Sequence, residues 1–343
     1  MIPTLLGIMV LNFILIHAAP GGPIEHMISQ MQDTSHQEAG GAKAKMIGGN
    51  SASGEHTTWN DEVLKDLNKR YGFDKPLWQR FWHMLRQYCT FNFGDSYFKS
   101  DSVAHLIFSR LPVSLSIGLW STLIMYFVSI PLGMAKAVHN KDHFDTWSSV
   151  FVIIGYAIPS FLFALFLILV FAGGNFWSWF PLRGLTSSFW NSLSWWGKIG
   201  DYVWHLTLPT CAQVLGGFAA LTFLTKNAFL EEIHKHYVIM ARAQGFTEKA
   251  ILIRYVFRNA MLVVISGLPS LLIRIFFAGS FLIEMIFSLD GLGLLSYEAV
   301  TTRDYPVIFG SLFLFTLLGL FFHLLSDLMY RFVDPRITFE TQS

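Results

Sequence analysis

Charge is what this sequence has least of. Only 14% of its 343 residues are Asp, Glu, Lys or Arg, against roughly a quarter in soluble domains. The 24 basic and 23 acidic residues leave a net charge of +1, so no basic surplus exists to hold a nucleic-acid backbone. Two cysteines, Cys89 and Cys211, are too few for a disulfide scaffold or a thiolate zinc site. His139 and His143 stand four apart, yet no further ligand accompanies them, so no metal site is expected. The sequence has no H-E-x-x-H, no G-x-S-x-G and no paired intramembrane carboxylates, which argues against an enzyme. Gly40-Gly41-Ala42-Lys43 lacks the spacing of a phosphate loop, so this chain is expected to bind no nucleotide cofactor of its own. What is abundant is apolar: 53% of residues are hydrophobic and 33 are Phe. Lipid is the expected solvent.

Membrane-spanning helices need about 20 mostly apolar residues. Met1–Gly22, Val113–Ala135, Thr146–Gly174, Leu206–Thr225 and Pro306–Ser326 carry no Asp, Glu, Lys or Arg, and Asn259–Ile283 is broken only by Arg274. The pattern predicts an all-α integral membrane protein with six spans, roughly 2–19, 113–135, 147–171, 206–226, 259–283 and 306–330. Pro131, Pro159 and Pro269 fall inside spans, where neighbouring helices can satisfy the freed backbone groups. The first stretch lacks the basic flank of a secretory signal. It reads as an uncleaved helix, and the missing flank points to a natural start upstream of Met1. With the N-terminus inside, the inner loops 136–146, 227–258 and 331–343, together with Lys226 at the membrane edge, carry ten Lys and Arg, and the short outer loops 173–205 and 284–305 carry three. This asymmetry puts both termini in the cytoplasm.

Three parts follow: a first span over 1–19, an outer segment over 20–112, and a core over 113–343. Within the outer segment, 33–59 reads as a flexible linker and 60–89 as helical. Asn60 would cap one short helix and Pro76 would open a second. In the second, Leu77, Phe81, Leu85 and Tyr88 share a face, suited to packing on the rim of the bundle or to docking an outer partner. The outer loop collects Trp177, Trp179, Trp190, Trp195, Trp196 and Trp204, as expected of an interfacial belt. Arg274 is the charged residue deep in a span, about 21 Å past Ala260 at 1.5 Å per residue. It is a candidate for a structural ion pair or for a substrate carboxylate, with snorkelling as the alternative. Gly291 and Gly293 suit a tight outer turn or a gate at the pore mouth. The inner loop 227–258 predicts a helix from Leu230 to Ala243, an αL stop at Gly245 and a Thr247 cap on a helix over Glu248–Asn259. Ala241, Ala243 and Gly245 leave its surface small, with Arg242 projecting. Such a loop is either a solvated hairpin or a dock for a soluble partner.

At this loop Tyr237-Val238-Ile239-Met240-Ala241-Arg242-Ala243-Gln244-Gly245 resembles the coupling motif of binding-protein-dependent ABC permeases, in the degenerate form used by peptide permeases. The usual Glu-Ala-Ala start is replaced by Ile239, Met240 and Ala241, so no glutamate role carries over. Other segments agree: Ala19-Pro20-Gly21-Gly22-Pro23, Arg70 to Leu77, Phe93-Gly94-Asp95-Ser96, Leu111 to Leu115, Glu284 to Gly293, Arg303-Asp304-Tyr305-Pro306, and Asp334-Pro335-Arg336. Their order is similar to that of the YejB-like subunits of microcin C and oligopeptide importers. The resemblance implies a type I ABC importer permease fold in the bacterial inner membrane. It implies uptake of oligopeptides or peptide-like compounds of the microcin C type by alternating access. It also implies a second permease subunit, one or two ATP-binding subunits that hold ATP and Mg, and a periplasmic peptide-binding protein. Ala241, Arg242, Ala243 and Gly245 would then couple to the ATPase. Arg274, Glu284, Gly291 and Gly293 would belong to the translocation path. The competing reading is a secondary transporter or channel acting without an ATPase, which would call for intramembrane ion-coupling residues.

Overall fold

The computed structural model describes residues 2–18, 76–173, 176–267 and 280–333. The linker 33–59, the helix expected after Asn60, Pro269, Arg274 and the Asp334-Pro335-Arg336 close lie outside the described residues. Among the described residues there are no strands, only one isolated bridge, Asp95 with Ser102. The helices are α1 (Ile2–Ala18), α2 (Leu77–Cys89), α3 (Val103–Val138), α4 (His143–Ala157), α5 (Ser160–Phe171), α6 (Trp195–Ile233), α7 (His236–Ala243), α8 (Glu248–Ile251), α9 (Phe257–Ser266), α10 (Ser280–Ile286), α11 (Leu292–Thr302) and α12 (Tyr305–Val333). A π turn over Leu252–Val256 joins α8 to α9.

By length and composition α3, α6 and residues Tyr305–Leu325 of α12 can each cross a membrane, and α4 with α5 would make a fourth span. That fourth stretch differs from the straight helix expected over 147–171. Its two halves meet at 91°. The cause is Pro159, which has no N–H to donate and forces the residue before it out of the helical region. Ile158 accordingly sits at φ −85°, ψ 118°. Pro112, Pro131 and Pro209, by contrast, lie inside unbroken helices. The expected span 206–226 is only the middle of α6, which begins eleven residues earlier at Trp195 and so takes up the last third of the expected outer loop. Ser194 caps its start, accepting from the Gly197 N–H.

The chain divides into two compact units. One holds residues 1–106 and 298–316, the other 107–297 and 317–343. In the first, Phe13 of α1 meets Phe81 of α2 edge-on at 5.4 Å. Tyr88, Phe93 and Phe313 form an aromatic knot with centroids 5.1–5.7 Å apart. Buried Asp304 accepts from the Ser96 hydroxyl and from the Tyr97 N–H. In the second unit, α3 and α6 cross closely. A Cβ on Gly133 would lie 2.6 Å from Thr225 Cβ and 2.7 Å from the Thr222 carbonyl, the small-residue contact that membrane helices favour. Around Ile117, Ala164, Leu206, Ala212 and Phe287, helices α3, α5, α6 and α10 share one apolar core.

Candidate functional site: a cross-braced hairpin and a capped turn

Helix α6 ends at Ile233, and His234 and Lys235 break the helix expected from Leu230 to Ala243. The chain reverses through α7, turns at Gly245 with φ +83°, and re-enters α8, where Thr247 Oγ1 accepts from the Ala250 N–H. Gly245 occupies the left-handed region that side chains resist, as the sequence predicts. The inner side of the hairpin is tightly packed. Phe229, Val238, Ala241, Ile251, Val256 and Ala260 form one buried cluster. Ala241 therefore faces the protein's own core and contributes nothing to an outward surface.

A polar brace ties the three legs together. The Glu232 carboxylate at the end of α6 accepts from the Tyr237 hydroxyl of α7 and from Lys235 Nζ. The Tyr237 oxygen in turn accepts from Asn259 Nδ2 of α9 at 3.1 Å. Burial, and then the Glu232 carboxylate, raise the phenol above its ordinary pKa, so Tyr237 stays protonated and keeps donating. Glu232 also raises the ammonium of Lys235. Sequence reasoning missed this brace. Its members stand 5 and 22 residues apart, beyond any single-helix pattern. Between α3 and α4, the fully buried Lys136 of α3 donates to the Asp145 carbonyl at 3.0 Å and to Ser148 and Ser149 hydroxyls at 2.9 and 2.7 Å. It also pairs with the Asp145 carboxylate at 3.0 Å, and Lys226 of α6 pairs with the other oxygen at 2.7 Å.

The outer side of the hairpin is apolar and uncovered. Ile239 and Met240 are 54% and 63% exposed, and Ala243, Gly245 and Phe246 are exposed beside them. Arg242 does not project freely. Its Nε and Nη2 grip Glu248 at 2.7 and 3.0 Å across the turn. The guanidinium holds the Glu248 carboxyl below its ordinary value.

Three of the four path candidates come together in a second place. Glu284, on α10, is fully buried. Its Oε1 accepts from Ser114 Oγ of α3 at 2.7 Å and its Oε2 from the Leu294 N–H at 2.9 Å. Ser114 Oγ also accepts from the Leu292 N–H at 2.8 Å. The pair thus caps the start of α11, supplying oxygen to amides that a helix start leaves without partners. Gly291 and Gly293 leave room for the carboxylate, since a Cβ on Gly291 would fall 2.4 Å from Glu284 Cδ. Arg110, one turn before Ser114, binds Asp290 in the same turn at 2.5 Å.

Residues 129–339 match the model of the family described as binding-protein-dependent transport system inner membrane component. The chain belongs to this family. It is 53% identical over 350 residues to the inner membrane ABC transporter permease protein YejB of Escherichia coli O157:H7, covering 99% of this chain and 96% of the relative. It is 50% identical to the peptidoglycan transport system permease protein YejB of Agrobacterium fabrum, with 99% and 96% covered. It is 32% identical to the oligopeptide transport system permease protein AppB of Bacillus subtilis, with 98% and 96% covered. An inward-facing structure of the MetNI methionine ABC transporter matches with a TM-score of 0.52 at 18% identity, covering 67% of this chain and 96% of that one. The permease thus has the type I ABC importer fold. As an ABC permease subunit it is not itself the ATPase, which is a separate subunit.

Proposed function

We propose that this permease is one of two membrane subunits of an importer for oligopeptides or peptide-like compounds, the microcin C type among them. It works by alternating access, is driven by ATP and Mg held on separate ATP-binding subunits, and is fed by a periplasmic peptide-binding protein. The hairpin from His236 to Thr247 carries this reading. It offers an exposed apolar tip on a base that is buried and cross-braced, so force applied at the tip reaches α6 and α9 instead of being lost in flexing. Ile239, Met240, Ala243 and Phe246 would enter a groove on the ATPase, and the Arg242–Glu248 pair would stand at its rim. Glu284, Gly291 and Gly293 would shape the translocation path by fixing the start of α11, not by lining it. Both termini would be cytoplasmic.

The test is Ala243→Trp. Its side chain would point away from the buried cluster, so insertion and folding should be normal. Transport in proteoliposomes with all subunits should fall about tenfold or more, the effect of roughly 1.4 kcal/mol of lost docking free energy. Stimulated ATP hydrolysis should fall with it, while hydrolysis by the free ATPase should not. A variant that assembles and transports like the parent would reduce the hairpin to a solvated loop.

A further inference from the structure

The 13 residues of α2 include two Arg, one His and no Asp or Glu. At about 100° per residue, Leu77, Phe81, Tyr88, Trp78 and Trp82 fall on one apolar arc, and Gln79, His83 and Arg86 on the opposite one. Half of the apolar arc is occupied: Phe81 rests on Phe13 of α1, and buried Tyr88 on Phe93 and Phe313. The other half is bare. Trp78 and Trp82 are 64% and 61% exposed, one turn apart on the same flank. Arg86, also exposed, continues that line by a further turn at the edge of the polar arc.

The position of α2 along α1 fixes what surrounds this flank. Phe13 lies five residues before the end of α1 at Ala18, or about 7.5 Å at 1.5 Å per residue. Around that level α1 exposes Leu11, Ile14 and Leu15, an apolar surface suited to hydrocarbon. With α1 as the expected first span, a helix laid against it within two turns of its end rests where the hydrocarbon gives way to headgroups. Indole rings concentrate at that depth, apolar in body and wet at the N–H. Arginine there reaches up to phosphate.

We propose that the Trp78–Trp82–Arg86 flank of α2 is a lipid contact, with both indoles seated at the boundary between acyl chains and headgroups and Arg86 donating to a phospholipid phosphate. The absence of acid on α2 makes the helix complementary to phosphate. The proposal is independent of what the permease transports.

Cys89 offers a probe that leaves both indoles in place. It is free and exposed, and at about 100° per residue it points between Trp78 and Trp82. With Cys211→Ala, a nitroxide label on Cys89 reports this flank in the assembled transporter, in vesicles of phosphatidylethanolamine and phosphatidylglycerol. Gln79→Cys and His83→Cys, each made with Cys89→Ser, report the polar arc. The ratio of collisions with oxygen to those with a water-soluble nickel chelate should be several-fold higher at 89 than at 79 and 83. Equal ratios at the three sites would show a solvated helix and overturn the proposal. So would a label at 89 that is open to nickel until the periplasmic binding protein is added, since the flank would then be a protein dock.

Discussion

Gly291→Ala would set one methyl group against a buried carboxylate. The new Cβ would lie 2.4 Å from Glu284 Cδ and 2.5 and 2.6 Å from its two oxygens, at least about 1 Å inside ordinary contact. Glu284 cannot retreat cheaply. Leu289 N–H holds its backbone carbonyl at 2.8 Å, and both carboxylate oxygens are engaged. Displacing it weakens the bonds from Ser114 and Leu294, each worth about 1.5–3 kcal/mol when the acceptor is charged. The expected loss is therefore about 3–5 kcal/mol. At roughly 2–4 °C per kcal/mol, the melting midpoint of the purified transporter should fall by on the order of 10 °C. Glu284→Gln should cost less, since one acceptor oxygen survives. The double variant Gly291→Ala/Glu284→Ala should be less harmed than the sum of its single changes, because removing the carboxylate removes the collision. A Gly291→Ala protein that melts with the parent would show that the turn does not depend on this fit.

Four further outcomes are expected. Tyr237→Phe deletes the hydroxyl between Glu232 and Asn259; it should cost about 1–3 kcal/mol and lower transport per ATP hydrolysed, read in proteoliposomes. Lys136→Met leaves Asp145 buried with Lys226 alone and should destabilise by about 3–5 kcal/mol, seen as poor recovery of folded permease in detergent; recovery equal to the parent would count against the buried cation's role. The Arg242–Glu248 clamp depends on a carboxyl whose folded pKa lies below its ordinary 4.5. Its contribution is complete above that value and lost as pH falls through the lowered one, so protection of the Gly245 and Phe246 amides, taken relative to the intrinsic exchange rate at each pH, should fall only below pH 4.5. For topology, an outside thiol reagent should label Ser188→Cys and miss Gln244→Cys; the reverse would invert the orientation drawn from loop charge.

The permease fold was legible because lipid makes the code simple: long stretches without charge become helices, and Gly245 and Thr247 announce a turn and a cap. The break at Ile158-Pro159 was harder to read, because Pro112, Pro131 and Pro209 sit within intact helices. A proline's outcome depends on neighbours that the local sequence does not name. At the hairpin, spacing picked out the small residues but not which way they point. Ala241 turns inward because it shares a face with Val238, while Ile239 and Met240, which depart from the family pattern, hold the outward face. The Glu284 cap could not be seen at all, since its partner Ser114 lies 170 residues away.

The π turn at Leu252–Val256 has a consequence for chain length. Such a turn holds one residue more than an α-helical turn of the same height. Deleting one residue there would let the helix close into regular α geometry with its backbone bonds intact. Because the wide turn has already absorbed its extra residue, the hairpin and α9 would keep nearly the same rotation about the helix axis. A second deletion would find no slack, and everything before it would turn by about 100° relative to α9. Ile239 and Met240 would leave their exposed side, and Tyr237 would lose its line to Asn259. The turn thus holds one spare residue and no more.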